Sequence, residues 1–304
     1  MEARRKQVLA RRFGKDWGQR LFDLNLLPDA PFEVTPDHQL IHPPTALRVG
    51  MSDTGADAAL EGCRNWLDWG AGRGLTFHSW EHHVFVEIDG IRFFLPQRND
   101  YFTLSEVFRE ELYRFQAEGS YAFMDIGANV GMASLYFAKN HDGPVVAYEL
   151  VPETANNAEM NLSLNPELKP RIEFVRAGLG RREEKMTIRF DPHSSACNSV
   201  YNQTGTQEAE VTLLDAATEL TRVADANQDR KMCVKLDAEG AEYDILDRWA
   251  ETDCLSKIDL LLLEWHVVSG RTVEELRQIL RSNGFQWFER VHATEPVGFI
   301  TAWR

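Results

Sequence analysis

Cysteine is scarce and scattered in this chain. Cys63, Cys197, Cys233 and Cys254 form no CxxC pair, which removes both a disulfide framework and a Cys-based zinc site, and all four are expected as free thiols. Long apolar runs are missing as well. None approaches the roughly 20 residues needed to cross a bilayer, and the opening MEARRKQVLARRF has neither the apolar centre nor the small-residue cleavage site of a secretory leader. No stable membrane insertion is expected, and a cytoplasmic address follows by default. Positive charge is in deficit: 33 Lys and Arg stand against 47 Asp and Glu, a formal net charge of -14. That balance repels a phosphate backbone, so no nucleic-acid partner is expected. Finally, GxGxxG is absent, which argues against a dinucleotide pyrophosphate.

What is present centres on FMDIGANVGMASLYF, residues 123 to 137. Ala122, Phe123, Met124 and Ile126 read as a buried strand, Gly127 and Gly131 as a turn, and Met132, Leu135, Tyr136 and Ala138 as the apolar side of a helix. Glycines let backbone approach a ligand, and the start of the following helix offers N–H groups and a positive dipole end. The spacing is DxGxxxG, with Asp125 at the strand's end. An acid in that place suits a ligand carrying positive charge and amino groups, such as S-adenosylmethionine.

The segments before this turn read as an extension. Residues 1 to 20 hold seven Lys and Arg against two acids, and Leu9, Phe13, Trp17 and Leu21 recur every four residues on one helical face. That face suits packing on the main domain or in a homodimer. From Leu27 to Pro44 five prolines exclude regular structure across most of the stretch. Ala56, Leu60, Cys63 and Leu67 suggest a short helix ended by Gly70, Gly72 and Gly74. His78, Glu81 and His82 spell HxxEH, but they sit between a glycine-rich turn and the alternating run VFVEIDGIRFFL, a hairpin around Asp89-Gly90. A polar loop is expected there. YFTLSEVFREELYRF, residues 101 to 115, has helical spacing with Thr103 or Ser105 as its cap.

Beyond the turn, strands and helices alternate. VVAYEL, RIEFVRAGL, MCVKLDAEG and DLLLLEWH read as buried strands, KMTIRF and AEVTLLD as shorter ones around the polar loop 191 to 207, and FQWFERV with GFITAW as a closing hairpin. This is the layout of a doubly wound α/β sheet with a reversed final strand, in which ligands bind outside the carboxyl ends of the strands. Glu149 ends the strand after the turn, where an acid can accept from both ribose hydroxyls.

The set DIGANVG, AYELVPETANNAEMNLSLN, TLLDA, VKLDAEGAEYDIL and LLLEWH resembles the FkbM family of S-adenosylmethionine-dependent methyltransferases over roughly residues 120 to 290. Its most specific element is Lys235, Asp237, Glu239, Gly240 and Glu242. The resemblance implies a Rossmann-like class I methyltransferase fold, a seven-stranded, mostly parallel sheet with an antiparallel last strand. Residues 101–304 would form that domain. Residues 1–100, a helical arm, proline-rich linker and hairpin, would be an N-terminal extension serving as lid, acceptor wall or dimer arm. The implied activity is methylation of a hydroxyl on a small-molecule or carbohydrate-like acceptor, with transfer to an amine or amide nitrogen as the alternative. A cofactor-binding protein without turnover is the remoter one. For the cofactor the candidates are Asp125, Gly127, Ala128, Asn129, Gly131, Glu149, Leu150, Gly178, Leu179 and Asp237. Where many class I enzymes place an acid after the third strand, Arg176-Ala177-Gly178-Leu179 offers backbone and packing. For catalysis the candidates are His266 as the base, with Asp237 or Glu264 to orient it, and Glu239. Asp237, Glu264 and His266 are also the candidate ligands for Mg²⁺ or another divalent cation.

Overall fold

Gly14, at φ +83°, splits the N-terminal amphipathic segment into α1 (Glu2–Phe13) and α2 (Lys15–Asp23). The expected apolar face survives the break, since Leu9, Phe13, Trp17 and Leu21 are all buried. A side chain at Gly18 would start 2.4 Å from the Ala10 Cα, so this glycine is what lets the two helices cross so closely. These helices belong to the first of two compact units in the computed structural model, Met1–Glu110 and Glu111–Arg304. The structure describes residues 2–26, 30–62, 72–116, 118–192, 199–201, 205–292 and 296–304. Cys63, Leu67, Gly70 and Cys197 lie outside these residues, as does most of the 191 to 207 loop. Cys233 and Cys254 are free and buried.

The proline-rich stretch, irregular over most of its described length, nevertheless carries short strands. β1 (Glu33–Val34), β2 (Leu40–His42) and β3 (Leu47–Val49) form a small antiparallel sheet. Pro31 and Pro36 flank β1, and Pro43–Thr45 makes a 3₁₀ turn after β2. The rings therefore sit where no ladder N–H is needed. α3 (Ala56–Gly62) follows, and then a second antiparallel sheet of β4 (Thr76–Trp80), β5 (His83–Ile88) and β6 (Ile91–Phe94). HxxEH lies on its first hairpin: His78 is in β4, while Glu81 (φ 46°) and His82 (φ 64°) form the turn. Asp89 and Gly90, both at positive φ, make the next turn. α4 (Asp100–Leu104) runs into a π turn, Ser105–Arg109, closed by Glu110 N–H on the Ser105 carbonyl at 2.9 Å. The helix expected to reach Phe115 stops there, and Glu111 turns the chain at φ 51°.

The second unit holds a seven-stranded sheet. β7 (Tyr121–Ile126), β8 (Val145–Tyr148) and β9 (Ile172–Val175) run outward on one side; β13 (Lys231–Leu236), β14 (Leu260–His266), β16 (Val297–Trp303) and β15 (Gln286–Val291) follow on the other. Only β16 runs against the rest, pairing antiparallel with both β14 and β15. The sheet is thus Rossmann-like, with the expected reversed strand last in the chain. A separate three-stranded sheet places β12 (Gln207–Asp215) between β10 (Gly178–Gly180) and β11 (Glu184–Phe190). Each connecting helix starts where its sequence supplies a start. α5 (Met132–Asn140) follows Gly131, and α6 (Pro152–Ser163) has Pro152 at its first position. α7 (Ala216–Asp225) is capped by Asp215, which accepts from Thr218 N–H at 2.8 Å. α8 (Glu242–Glu251) follows the KLDAEG turn, and α9 (Val273–Ser282) has a Thr272/Glu275 capping box. Trp249, Tyr243, Leu246 and Leu263 fill the layer between helices and sheet, and Trp249 Nε1–H donates to the Ala216 carbonyl at 2.9 Å.

Candidate active site

Strand order reverses between β7 and β13, so their carboxyl ends open a crevice that neighbouring helices cannot fill. Parallel pairing sets Asp125 beside Lys235 and Ile126 beside Leu236. The two following turns touch. Asp237 N–H donates to the Ile126 carbonyl at 3.1 Å, and a Cβ on Gly127 would stand 1.7 Å from the Asp237 carbonyl oxygen. Gly127, at φ +76°, is therefore required twice over, by conformation and by contact.

The glycine turn is closed by its own bonds. The N–H groups of Gly127 and Ala128 both donate to the Tyr148 carbonyl, Asn129 N–H donates to Glu149 Oε2 at 2.8 Å, and Gly131 N–H donates to the Ala128 carbonyl. These four N–H groups are thus taken up within the turn and its neighbouring strand end. Asp125 is fully buried behind the cleft wall, accepting from Ser134 Oγ at 2.5 Å. Its Oδ1 lies 3.4 Å from Lys235 Nζ and has no hydrogen-bond partner among the described residues. Lys235, 3 % exposed, donates to the Gly127 carbonyl at 2.6 Å and stands 3.2 Å from Asp237 Oδ2. Burial works against its charge, but Asp237 and Asp125 outweigh that and hold it above the ordinary lysine value.

The cleft beyond encloses about 640 Å³, including space open to solvent, a size ordinary for a small-molecule site. One side is apolar: Leu150, Leu179, Val200 and Leu213, with Gly178 allowing Leu150 and Leu213 to approach each other. The other carries Asn129, Glu149, Asp237 and Glu239. Glu149 accepts from Asn129 and Val151 N–H, each at 2.8 Å. Burial pushes its carboxyl up to about 7 against those two bonds. The Asn129 Oδ1 atom is buried with no hydrogen-bond partner among the described residues.

Of the residues singled out from sequence, Gly127, Asn129, Glu149, Leu150, Gly178, Leu179, Asp237 and Glu239 line this cleft. Asp125, Ala128, Gly131, Glu264 and His266 are not among its lining residues. His266 is met by residues other than those expected to orient it. Its Nδ1 is 3.2 Å from Glu242 Oε1 and its Nε2 3.5 Å from Glu239 Oε2. Sequence reasoning missed the apolar wall from Val200 and Leu213, although TLLDA contains the latter. It also gave Lys235 and Glu242 no role, although both stand in the same motif as Asp237.

Among the described residues, Asp237, Glu242 and His266 offer ligand atoms within 4.8 Å of one another, with Glu242 in the place expected of Glu264. The donor set suits a divalent cation poorly. Glu242 already accepts from Ala238 N–H at 2.7 Å and Gly240 N–H at 2.9 Å, and Asp237 is paired with Lys235. Among the described residues, no helix is long and apolar enough to cross a membrane.

Comparison with known proteins gives a family. Residues 125–287 match the model of the methyltransferase FkbM domain. No curated protein matches the chain. Solved structures similar to it include methyltransferase FkbM from Methylobacillus flagellatus KT, with 15% identity over 67% of this chain and 50% of that one and a TM-score of 0.45. The match thus spans about half of that protein's length. Precorrin-6y C5,15-methyltransferase from Geobacter metallireducens GS-15 has 15% identity over 66% of this chain and 88% of that one, with a TM-score of 0.38. The N-terminal domain of human METTL16 has 13% identity over 96% and 95%, with a TM-score of 0.37.

Proposed function

Because the chain belongs to the FkbM family of S-adenosylmethionine-dependent methyltransferases, we propose that it methylates a hydroxyl oxygen of a small-molecule or carbohydrate-like acceptor. The observation that carries this reading is the cleft itself, with one apolar wall and one wall of carboxylates meeting at the switch point. Its residues fit the cofactor. Asn129 Oδ1, without a partner among the described residues, would take a donor from a ligand, and Gly127 leaves the floor of the cleft free of a side chain. Glu149 would accept the ribose hydroxyls with the lone pairs its backbone partners leave, and Leu150, Leu179, Val200 and Leu213 would enclose the base. Asn129 and Asp237 would face the methionine part. When bound, S-adenosylmethionine supplies a methyl group already activated by its sulfonium, so positioning is most of what the protein must add. A hydroxyl acceptor must also lose a proton, and the carboxylates of Asp237 and Glu239 stand at the wall where it would sit. The net charge of -14 favours a neutral acceptor over a phosphate backbone.

Calorimetric titration with S-adenosylhomocysteine tests the cofactor half. Binding is expected in the unmodified protein, with a loss of tenfold or more in Glu149→Ala; no binding, or equal binding in the variant, would falsify it. A pH dependence should accompany this. Because the Glu149 carboxyl is pushed up to about 7, affinity should rise by about tenfold between pH 6 and 8 as it ionises, and stay flat in Glu149→Gln. The unliganded protein should show the opposite sign. A carboxyl raised in the folded state stabilises that state below its unfolded value near 4.5, and this contribution is lost as pH rises through about 7. For the acceptor, labelled methyl transferred to a crude metabolite fraction should be recovered as an ether. Recovery as a methylamine would favour the nitrogen alternative.

A further inference from the structure

His266 ends β14 with both ring nitrogens turned to carboxylates, Glu242 on Nδ1 and Glu239 on Nε2. An ionised carboxylate can only accept, and a neutral imidazole has a single N–H. The doubly protonated ring alone serves both partners. Glu242 is not able to swing away, being fully buried in the first turn of α8 and fastened to the N–H groups of Ala238 and Gly240. Glu239 is fixed from the other direction: its backbone adopts φ 51°, and Ser199 Oγ donates to its carbonyl at 2.7 Å. Of the three, only Glu239 lines the cleft.

Resting on the methyltransferase reading above, we propose that Glu242 is a positioning residue that clamps His266 as a fixed imidazolium, so that Glu239, and not the imidazole, takes the acceptor's proton. The surroundings agree with the geometry. Burial pulls the ring's proton affinity down, yet the bond and charge of Glu242, with Asp237 and Glu239 behind it, push it up to about 10. In the transfer, an oxygen electron pair of the acceptor forms the bond to the methyl carbon while the carbon–sulfur pair stays on sulfur. The hydroxyl proton passes to a Glu239 oxygen and then to water, so no further reactant is needed. The neighbouring ring, 3.5 Å away, holds that carboxylate at the cleft wall.

Proton–nitrogen NMR of the full chain carrying ¹⁵N-histidine reads the clamp without any acceptor. His266 is expected to show both ring nitrogens protonated at pH 8. Glu242→Gln should lower its titration midpoint by at least one pH unit, a tenfold loss of proton affinity. A neutral ring with one tautomer at pH 8 in the unmodified protein overturns the proposal, whether or not the variant folds. Labelled-methyl transfer to the metabolite fraction should fall about 100-fold in Glu239→Gln, and equal transfer by that variant also overturns it. Binding of S-adenosylhomocysteine to the unmodified protein judges the underlying methyltransferase reading separately.

Discussion

Gly127→Ala should abolish S-adenosylhomocysteine binding and lower the unfolding free energy by on the order of 3–5 kcal/mol. The added methyl would start 1.7 Å from the carbonyl oxygen of Asp237, and the atom in its way is backbone, which no rotamer change can move. Relief requires parting the end of β7 from the end of β13. That separation would carry Asp237 and Glu239 out of the cleft and break the Lys235 bond to the Gly127 carbonyl. Gly131→Ala supplies the comparison. Gly131 also has positive φ, at +81°, but a Cβ there meets nothing nearer than 3.6 Å. It should cost only the conformational term, about 1–2 kcal/mol, and keep binding within a few-fold. Denaturant melts and calorimetry on the two variants give the contrast. Equal behaviour of the pair would show that conformation, and not the contact with Asp237, makes Gly127 necessary.

Lys235→Met is expected to be nearly as severe, at about 3–5 kcal/mol. The lysine is 3 % exposed and is the cation between a fully buried Asp125 and Asp237. Methionine fills a similar volume, so packing is largely kept and the loss isolates the charge. Left without its partner, Asp125 is an uncompensated charge in a fully buried position. Adding Asp125→Asn should restore much of the loss at pH 7.5, leaving the double variant more stable than Lys235→Met alone. Urea unfolding of the single and double variants measures both effects, and a loss without rescue would assign the lysine a packing role only.

The alternation of apolar runs with helical spacing made the main sheet legible, because strands buried on both faces leave continuous hydrophobic segments such as LLLL before Glu264. Local exceptions were harder to see. Leu9 to Leu21 kept its spacing through a break at Gly14, since the two helices bury the same stripe. Pro31, Pro36, Pro43 and Pro44 concealed a small sheet because they fall beside or between its strands. In the site, Glu149, Asp237 and Glu239 could be picked out as strand-end acids. The burial of Asp125 could not, because its partner Lys235 comes from a strand 110 residues further along, and only sheet order makes them neighbours. The same is true of Glu242, which reads as an ordinary first-turn acid until β14 brings His266 against it.

The pairing of β7 with β13 also sets an order in time. A polypeptide grows from its N-terminus, and the strand and glycine turn at residues 121 to 131 emerge while β13 has yet to be made. Until Lys235 and Asp237 arrive, Gly127 has no partner for its carbonyl and no opposing backbone to fit against. This side of the cleft can thus be assembled only after β8, β9 and the small three-stranded sheet have been synthesised. The element that comes first in the cleft is among the last to take its final form.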